Sequence, residues 1–148
     1  MTDIKIKLLA GPVSNSDQHW IHQTFIAHTD KERAPPFDKQ TMAWIAYVGD
    51  QRAAALTAAT QWDWLYVDEL VVDAEFRRQG LGSQLMAQAE AFAKERGLVG
   101  IWLWTQSWQA EHYYPKLGYE EFARFEDNPK GYYRLGFRKV LPKSEGLN

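Results

Sequence analysis

Leu70-Val71-Val72-Asp73-Ala74-Glu75-Phe76-Arg77-Arg78-Gln79-Gly80-Leu81-Gly82-Ser83 joins an apolar strand to an amphipathic helix through a basic turn that carries two glycines. Glycine lets backbone approach a ligand closely and adopts φ angles that other residues resist. The helix that follows opens with N–H groups that have no intrahelical partner, and its dipole concentrates roughly half a positive charge there. Arg77 and Arg78 add formal charge at the same spot. The combination predicts a cradle for a pyrophosphate.

Outward from the turn, Leu81, Leu85, Met86, Ala89, Phe92 and Ala93 fall on one face of the helix, and Gly97 closes it behind Lys94 and Arg96. Asp63 to Val72, before the turn, is rich in aromatic and β-branched residues and reads as a long strand. Val99 to Trp104 is a dense apolar run of the kind buried on both faces. Strand, helix and strand in succession imply a parallel crossover. Met42 to Val48 and Arg52 to Thr60 flank Gly49-Asp50-Gln51 as a hairpin, although Ala53-Ala54-Ala55 alone would equally suit a helix. After a brief helix over 110–117 that stops at Gly118, Tyr119 to Arg124 and Tyr132 to Val140 read as a closing hairpin around Asn128-Pro129-Lys130-Gly131. Near the N-terminus, Ile4 to Leu9 alternates lysine with apolar residues and predicts a half-exposed first strand. A helix capped by Asp17 follows, with Trp20, Ile21, Phe25 and His28 at helical spacing, then a charged, proline-broken loop over 30–39. The tail from Pro142 is expected to fray.

A chain of 148 residues fits one domain, 1–148. With 17 basic and 19 acidic side chains the formal charge is −2, which argues against an extended nucleic-acid surface. The lack of cysteine removes disulfides, thiolate metal sites and a cysteine nucleophile together, so thiol chemistry has to come from a cofactor. The N-terminus has no hydrophobic signal core, and no segment approaches the ~20 apolar residues of a membrane span. These features predict a soluble cytoplasmic protein.

The strand followed by Arg77-x-x-Gly80-x-Gly82 at a helix start resembles the signature of the GNAT superfamily of acyl-coenzyme A dependent N-acyltransferases. A second segment, Ala110-Glu-His-Tyr113-Tyr114-Pro-Lys-Leu-Gly118-Tyr119, resembles the family's Ala-x-x-Phe-Tyr-x-x-x-Gly-Phe run. The resemblance covers most of the chain. It implies an α/β (α+β) fold: a mixed, mostly antiparallel sheet of about seven strands with a splayed central parallel pair, flanked by about four helices. It further implies acetyl coenzyme A as cosubstrate. The amides of Arg78, Gln79, Gly80, Leu81, Gly82 and Ser83, beside Arg77, would hold its pyrophosphate. The edges of Leu70, Val71 and Val72 would pair with its pantetheine arm like an added strand. Ser107 stands where many relatives place a cofactor-contacting asparagine, and its reach is shorter.

Transfer from a thioester to an amine needs a neutral nucleophile and a proton for the departing thiolate. A lysine-like amine has a pKa near ~10.4 and must lose a proton first. Asp68 and Glu69, just before the cofactor-pairing stretch, are the candidate bases, and strand alternation sends them to opposite faces unless a bulge intervenes. Asp68 is favoured by analogy with the family. Tyr114 matches the family's general-acid tyrosine and doubles as a cofactor contact; Pro115 after it disfavours helical geometry at Tyr114. Trp62 and Trp108 are candidates for the wall of an acceptor pocket. His19 and His22, at i and i+3, lack a third partner for a metal, and no metal is expected. The predicted activity is direct transfer, in a ternary complex, to a primary amine of a small molecule or peptide. A sensor or scaffold that binds acyl-coenzyme A without turnover is the competing class. The C-terminal hairpin offers a surface for a homodimer.

Overall fold

The computed structural model describes residues 3–143, so most of the expected frayed tail lies outside the described residues. The chain divides into two compact units, Met1–Phe37 and Asp38–Asn148. The first holds helix α1, Asn15–Lys31. Its cap is Ser14 rather than Asp17: the Ser14 hydroxyl accepts from the Asp17 N–H at 3.1 Å, which places Asp17 inside the first turn. Trp20, Ile21, Phe25 and His28 line one face of α1 together with Thr24, as their spacing predicts.

Residues Ile4 to Leu9 form no strand, contrary to expectation. Alternation makes a strand only where a neighbour accepts its backbone hydrogen bonds, and this segment takes part in no strand pairing. The described sheet therefore has six strands rather than seven, and three α-helices rather than four, with one added 3₁₀ turn at Ala74–Phe76.

The second unit holds that sheet. Strands β1 (Thr41–Val48), β2 (Gln51–Gln61) and β3 (Trp64–Val72) form an antiparallel meander. The alanine run 53–55 is strand, because Leu56, Ala58 and the β1 register decide it rather than helix propensity. Helix α2 (Leu81–Glu95) crosses from β3 to the parallel strand β4 (Gly100–Gln106). After the short helix α3 (Tyr113–Lys116), strands β5 (Glu120–Glu126) and β6 (Tyr133–Val140) close the sheet in the order β1-β2-β3-β4-β6-β5.

Leu85, Met86, Ala89 and Ala93 of α2 share one core with Leu56, Leu65, Val67, Ile101, Leu103, Leu135 and Phe137 of the sheet. Leu56, Leu65, Met86, Ile101 and Leu103 are the largest fully buried side chains, each worth about 1.5–3 kcal/mol of apolar burial. A polar clasp secures the helix to the far strands. Glu90 accepts from the Tyr119 hydroxyl at 2.8 Å and from Lys139 Nζ at 3.3 Å, while Lys139 also donates to the Leu117 carbonyl at 2.9 Å. This core fixes β3, β4 and the start of α2, the three elements from which the site is built.

Candidate active site

The β2–β3 register steps from Thr57↔Glu69 to Ala58↔Val67, leaving Asp68 as an extra residue on β3. This bulge resets the alternation. Leu65 and Val67 point into the core before it, and Leu70 and Val72 pack against the core after it. Asp68 and Glu69 are both left on the outer side, and both line the same cleft. The bulge that the sequence could not place thus overrides the expectation that alternation separates the two carboxylates.

The β3–β4 ladder runs from Trp64↔Gly100 to Val67↔Leu103 and stops there, at the bulge. Beyond it β3 continues through Leu70, Val71 and Val72, while β4 stays paired with β6 as far as Gln106↔Arg134. The facing edges of β3 and β4 are consequently open to each other, with backbone donors and acceptors available to an extended, peptide-like ligand. The cleft between them measures about 870 Å³, within the range of cofactor sites. Its walls include Asp68, Glu69, Leu70, Val71, Val72, Arg77, Trp104, Thr105, Trp108, Tyr113 and Tyr114.

A smaller hollow of about 330 Å³ adjoins the cleft at the start of α2, lined by Arg77, Arg78, Gly80, Leu81, Gly82 and Ser83. Leu70, Val72, Arg77 and Tyr113 border both spaces, so one path runs from the turn into the wedge. Gly80 is the α2 N-cap with φ +76°, no side chain caps the helix, and its first turn contains no acidic residue. Arg78 is also left-handed, at φ +67°. A non-glycine residue in that region is strained by about 1–2 kcal/mol, and turn residues of this kind are the backbone geometry from which anion-binding concavities are built. A Cβ added to Gly82 would stand 3.4 Å from the Tyr113 hydroxyl, so the absence of a side chain there keeps the hollow open. Arg77 Nε lies 3.4 Å from the Val72 carbonyl, to which it donates, and bridges turn and strand. The residues present fit a pyrophosphate and a pantetheine arm.

Two residues expected to contact the cofactor, Gln79 and Ser107, do not line these two spaces. Ser107 is taken up in joining β4 to β6: its N–H donates to the Tyr133 carbonyl at 2.8 Å and its hydroxyl accepts from the Tyr133 N–H at 3.4 Å. Trp108 lines the cleft and packs edge-on against Tyr132, whereas Trp62 sits in the β2–β3 turn, at the closed end of the strand pair, and does not line it. Trp104 lines the cleft as well.

Tyr114 is 6% exposed, with the rings of Tyr113, Tyr119 and Phe137 around it. Burial, then the neighbouring Tyr113, pushes its phenol up to about 12, so it is protonated throughout the working pH range. Tyr114 is helical despite the proline that follows it. Helix α3 begins at Tyr113, so Pro115 falls in the first turn, where its missing N–H has no intrahelical partner to lose. Tyr113 is a residue that the sequence reading passed over. Its hydroxyl lies 2.9 Å from Ser83 Oγ, tying α3 to the first turn of α2. A visible signal existed, since the resembled motif has phenylalanine there and this chain has tyrosine.

Glu69 accepts from the Thr57 hydroxyl at 3.0 Å, whereas Asp68 has no hydrogen bond among the described residues. Tyr66, packed against Trp102 with ring centroids 4.5 Å apart and planes inclined at 45°, has its phenol pKa raised by burial and by Asp68, against the opposing charge of Arg134. Among the described residues no group of three His, Asp or Glu is placed to hold a metal ion, and no helix is long and apolar enough to cross a membrane.

Known proteins share the sequence pattern and the fold. The chain is 45% identical over 80 residues to the blasticidin-S acetyltransferase of Streptomyces morookaense, 53% of this chain and 59% of that protein. The chain thus spans about three-fifths of that curated relative, and 50% of an acetyltransferase of Agrobacterium fabrum that is 36% identical over 68 residues. Among solved structures, an acetyltransferase of Bacillus cereus superposes with a TM-score of 0.77 at 27% identity, covering 90% of this chain and 98% of that one. A Bacillus anthracis acetyltransferase solved with acetyl coenzyme A has the same fold, with a TM-score of 0.64 at 23% identity over 76% of this chain and 68% of that one. Residues 14–119 match the acetyltransferase (GNAT) family, so the wedge, the glycine turn and the tyrosine-bearing helix belong to a recognised architecture. The chain is a member of that family.

Proposed function

We propose that this protein transfers the acetyl group of acetyl coenzyme A directly to a primary amine of a small molecule. The observation that carries the reading is the coincidence of the Asp68 bulge with the end of the β3–β4 ladder. It brings a carboxylate pair, open strand edges and Tyr114 to one cleft continuous with the glycine turn. Bound coenzyme would supply the thioester, its diphosphate against the N–H groups of residues 78–83 and its pantetheine along Leu70, Val71 and Val72. Asp68, free of hydrogen bonds, takes the ammonium proton, directly or through one water, while Glu69 is held by Thr57 and fixes the field beside it. Tyr114 returns a proton to the departing thiolate and stays neutral beforehand because burial disfavours its ionised form. Positioning two substrates in one cleft supplies much of the rate, since it makes a bimolecular step effectively unimolecular.

The relatives support a small polar acceptor. One is named for blasticidin S, and a solved structure 26% identical to this chain, with a TM-score of 0.62, is the nourseothricin acetyltransferase. The test is thiol release from acetyl coenzyme A across a panel of amines that includes such antibiotics. Steady release with at least one amine is expected. Binding of the coenzyme without release from any amine would overturn the transfer reading in favour of a sensor.

A further inference from the structure

A second concavity, of about 590 Å³, opens on the outer face of β1–β3 and shares Asp68 and Glu69 with the coenzyme cleft. The two carboxylates therefore stand on the rim between a space for the thioester and a space for something else. The groove is bipolar. Asp68 and Glu69 mark one end, at the level of Thr57 on β2, and Lys39 marks the other, near Gln61. Four residues of strand separate these levels, roughly 13 Å along β2. Thr41, Tyr66 and Gln61 offer hydroxyls and an amide along the groove.

Lys39 is not on a loose segment. The next residue, Gln40, is hooked to β2 by two hydrogen bonds: its N–H donates to the Thr60 hydroxyl at 3.0 Å, and its carbonyl accepts from the Thr60 N–H at 2.9 Å. Among the described residues Lys39 forms no ion pair, although two carboxylates line the same groove. An ammonium at one end of a groove whose other end is acidic offers a partner to an anion there.

Resting on the acetyl-transfer reading, we infer that the acceptor is a polar zwitterion lying along this groove. Its amine meets Asp68 and Glu69 at the rim, and a carboxylate roughly 10 Å away meets Lys39. The amine end faces the thioester and the carboxylate end sets which amines are accepted. Lys39 is then a specificity residue that never touches the reacting atoms.

Triglycine and triglycinamide test this, since they differ only in a carboxylate about three residues' length from the amine. Glycine and glycinamide serve as a pair too short to reach. At low salt the wild-type protein should favour triglycine over its amide by about fivefold in kcat/KM, through KM, the scale of an exposed charge pair. Added salt should shrink that ratio. Lys39→Gln should bring it to about one and Lys39→Arg should keep it, with unchanged acetyl coenzyme A affinity by calorimetry confirming folded protein. The short pair should show no carboxylate preference. Equal turnover of triglycine and its amide, a ratio that survives Lys39→Gln, or no release with triglycine while other amines react would each overturn the inference and leave acetyl transfer standing. No release with any amine would overturn both.

Discussion

At Asp68 a single bulged residue sets which side of β3 two carboxylates occupy. In the proposed transfer, a carboxylate that accepts no side-chain hydrogen bond keeps its lone pairs for an ammonium, whereas Glu69 already accepts from Thr57. Asp68→Asn should lower kcat/KM for an amine by about a hundredfold, the usual worth of a positioned base, and leave acetyl coenzyme A affinity by calorimetry unchanged. Glu69→Gln should cost less, and the opposite order would exchange their roles. Tyr114 gives a prediction with a definite sign. Its folded-state pKa, about 12, lies above the usual 10, so its contribution to stability is complete below pH 10 and is lost as pH rises through 12. Two pH units correspond to about 3 kcal/mol. Buried Tyr119, also shifted upward, acts in the same direction. Urea titrations at pH 9 and pH 11.5 should show a smaller alkaline loss in Tyr114→Phe than in the wild-type protein. Asp68, Glu69 and Tyr114 could be named as candidates from the chain, because they stand at fixed offsets from recognisable motifs. Their orientation was not legible there, because it depends on which β2 residues they pair with.

Among the elements, β4 is paired on both sides, with β3 as far as Leu103 and with β6 along its whole length. Gly100 starts it under tight conditions. A Cβ there would stand 2.5 Å from the Lys139 carbonyl and 2.6 Å from the Trp64 ring. Backbone on one side and an indole on the other leave no cheap relaxation, so Gly100→Ala should destabilise by about 1–3 kcal/mol in urea denaturation. Gly136 on β6 is the comparison: its added Cβ would meet only the Phe122 ring, at 2.7 Å, and a half-exposed ring can turn aside. The cost of Gly136→Ala should be clearly the smaller of the two. Helix α2 was legible at this scale, because its stripe of Leu85, Met86, Ala89 and Ala93 follows the helical period that buries one face. The strand expected at Ile4 to Leu9 failed for the complementary reason, since a two-residue period carries no information about a pairing partner.

For the whole molecule, the wedge is an unfilled interface inside an otherwise continuous sheet, so a ligand that bridges β3 and β4 should act on global stability. At a hundred times its dissociation constant, acetyl coenzyme A should add about 2.7 kcal/mol. For a chain of this size that raises Tm by roughly 5–10 °C in differential scanning calorimetry. A flat response would remove the coenzyme from the cleft. The chain by itself determined the glycine turn, the amphipathic helix behind it and the two motifs that place it in its family, because these follow from residue spacings of one to four and from turn chemistry. Only the tertiary structure decided that Asp68 and Glu69 share one side, that the β3–β4 ladder ends after Val67, that Trp104 lines the cleft, and that Tyr113 reaches Ser83 across thirty positions of sequence. Each of these is a relation between segments far apart along the chain. Register, bulge position and cavity shape are set by how strands pair and pack against one core, and no local pattern encodes them.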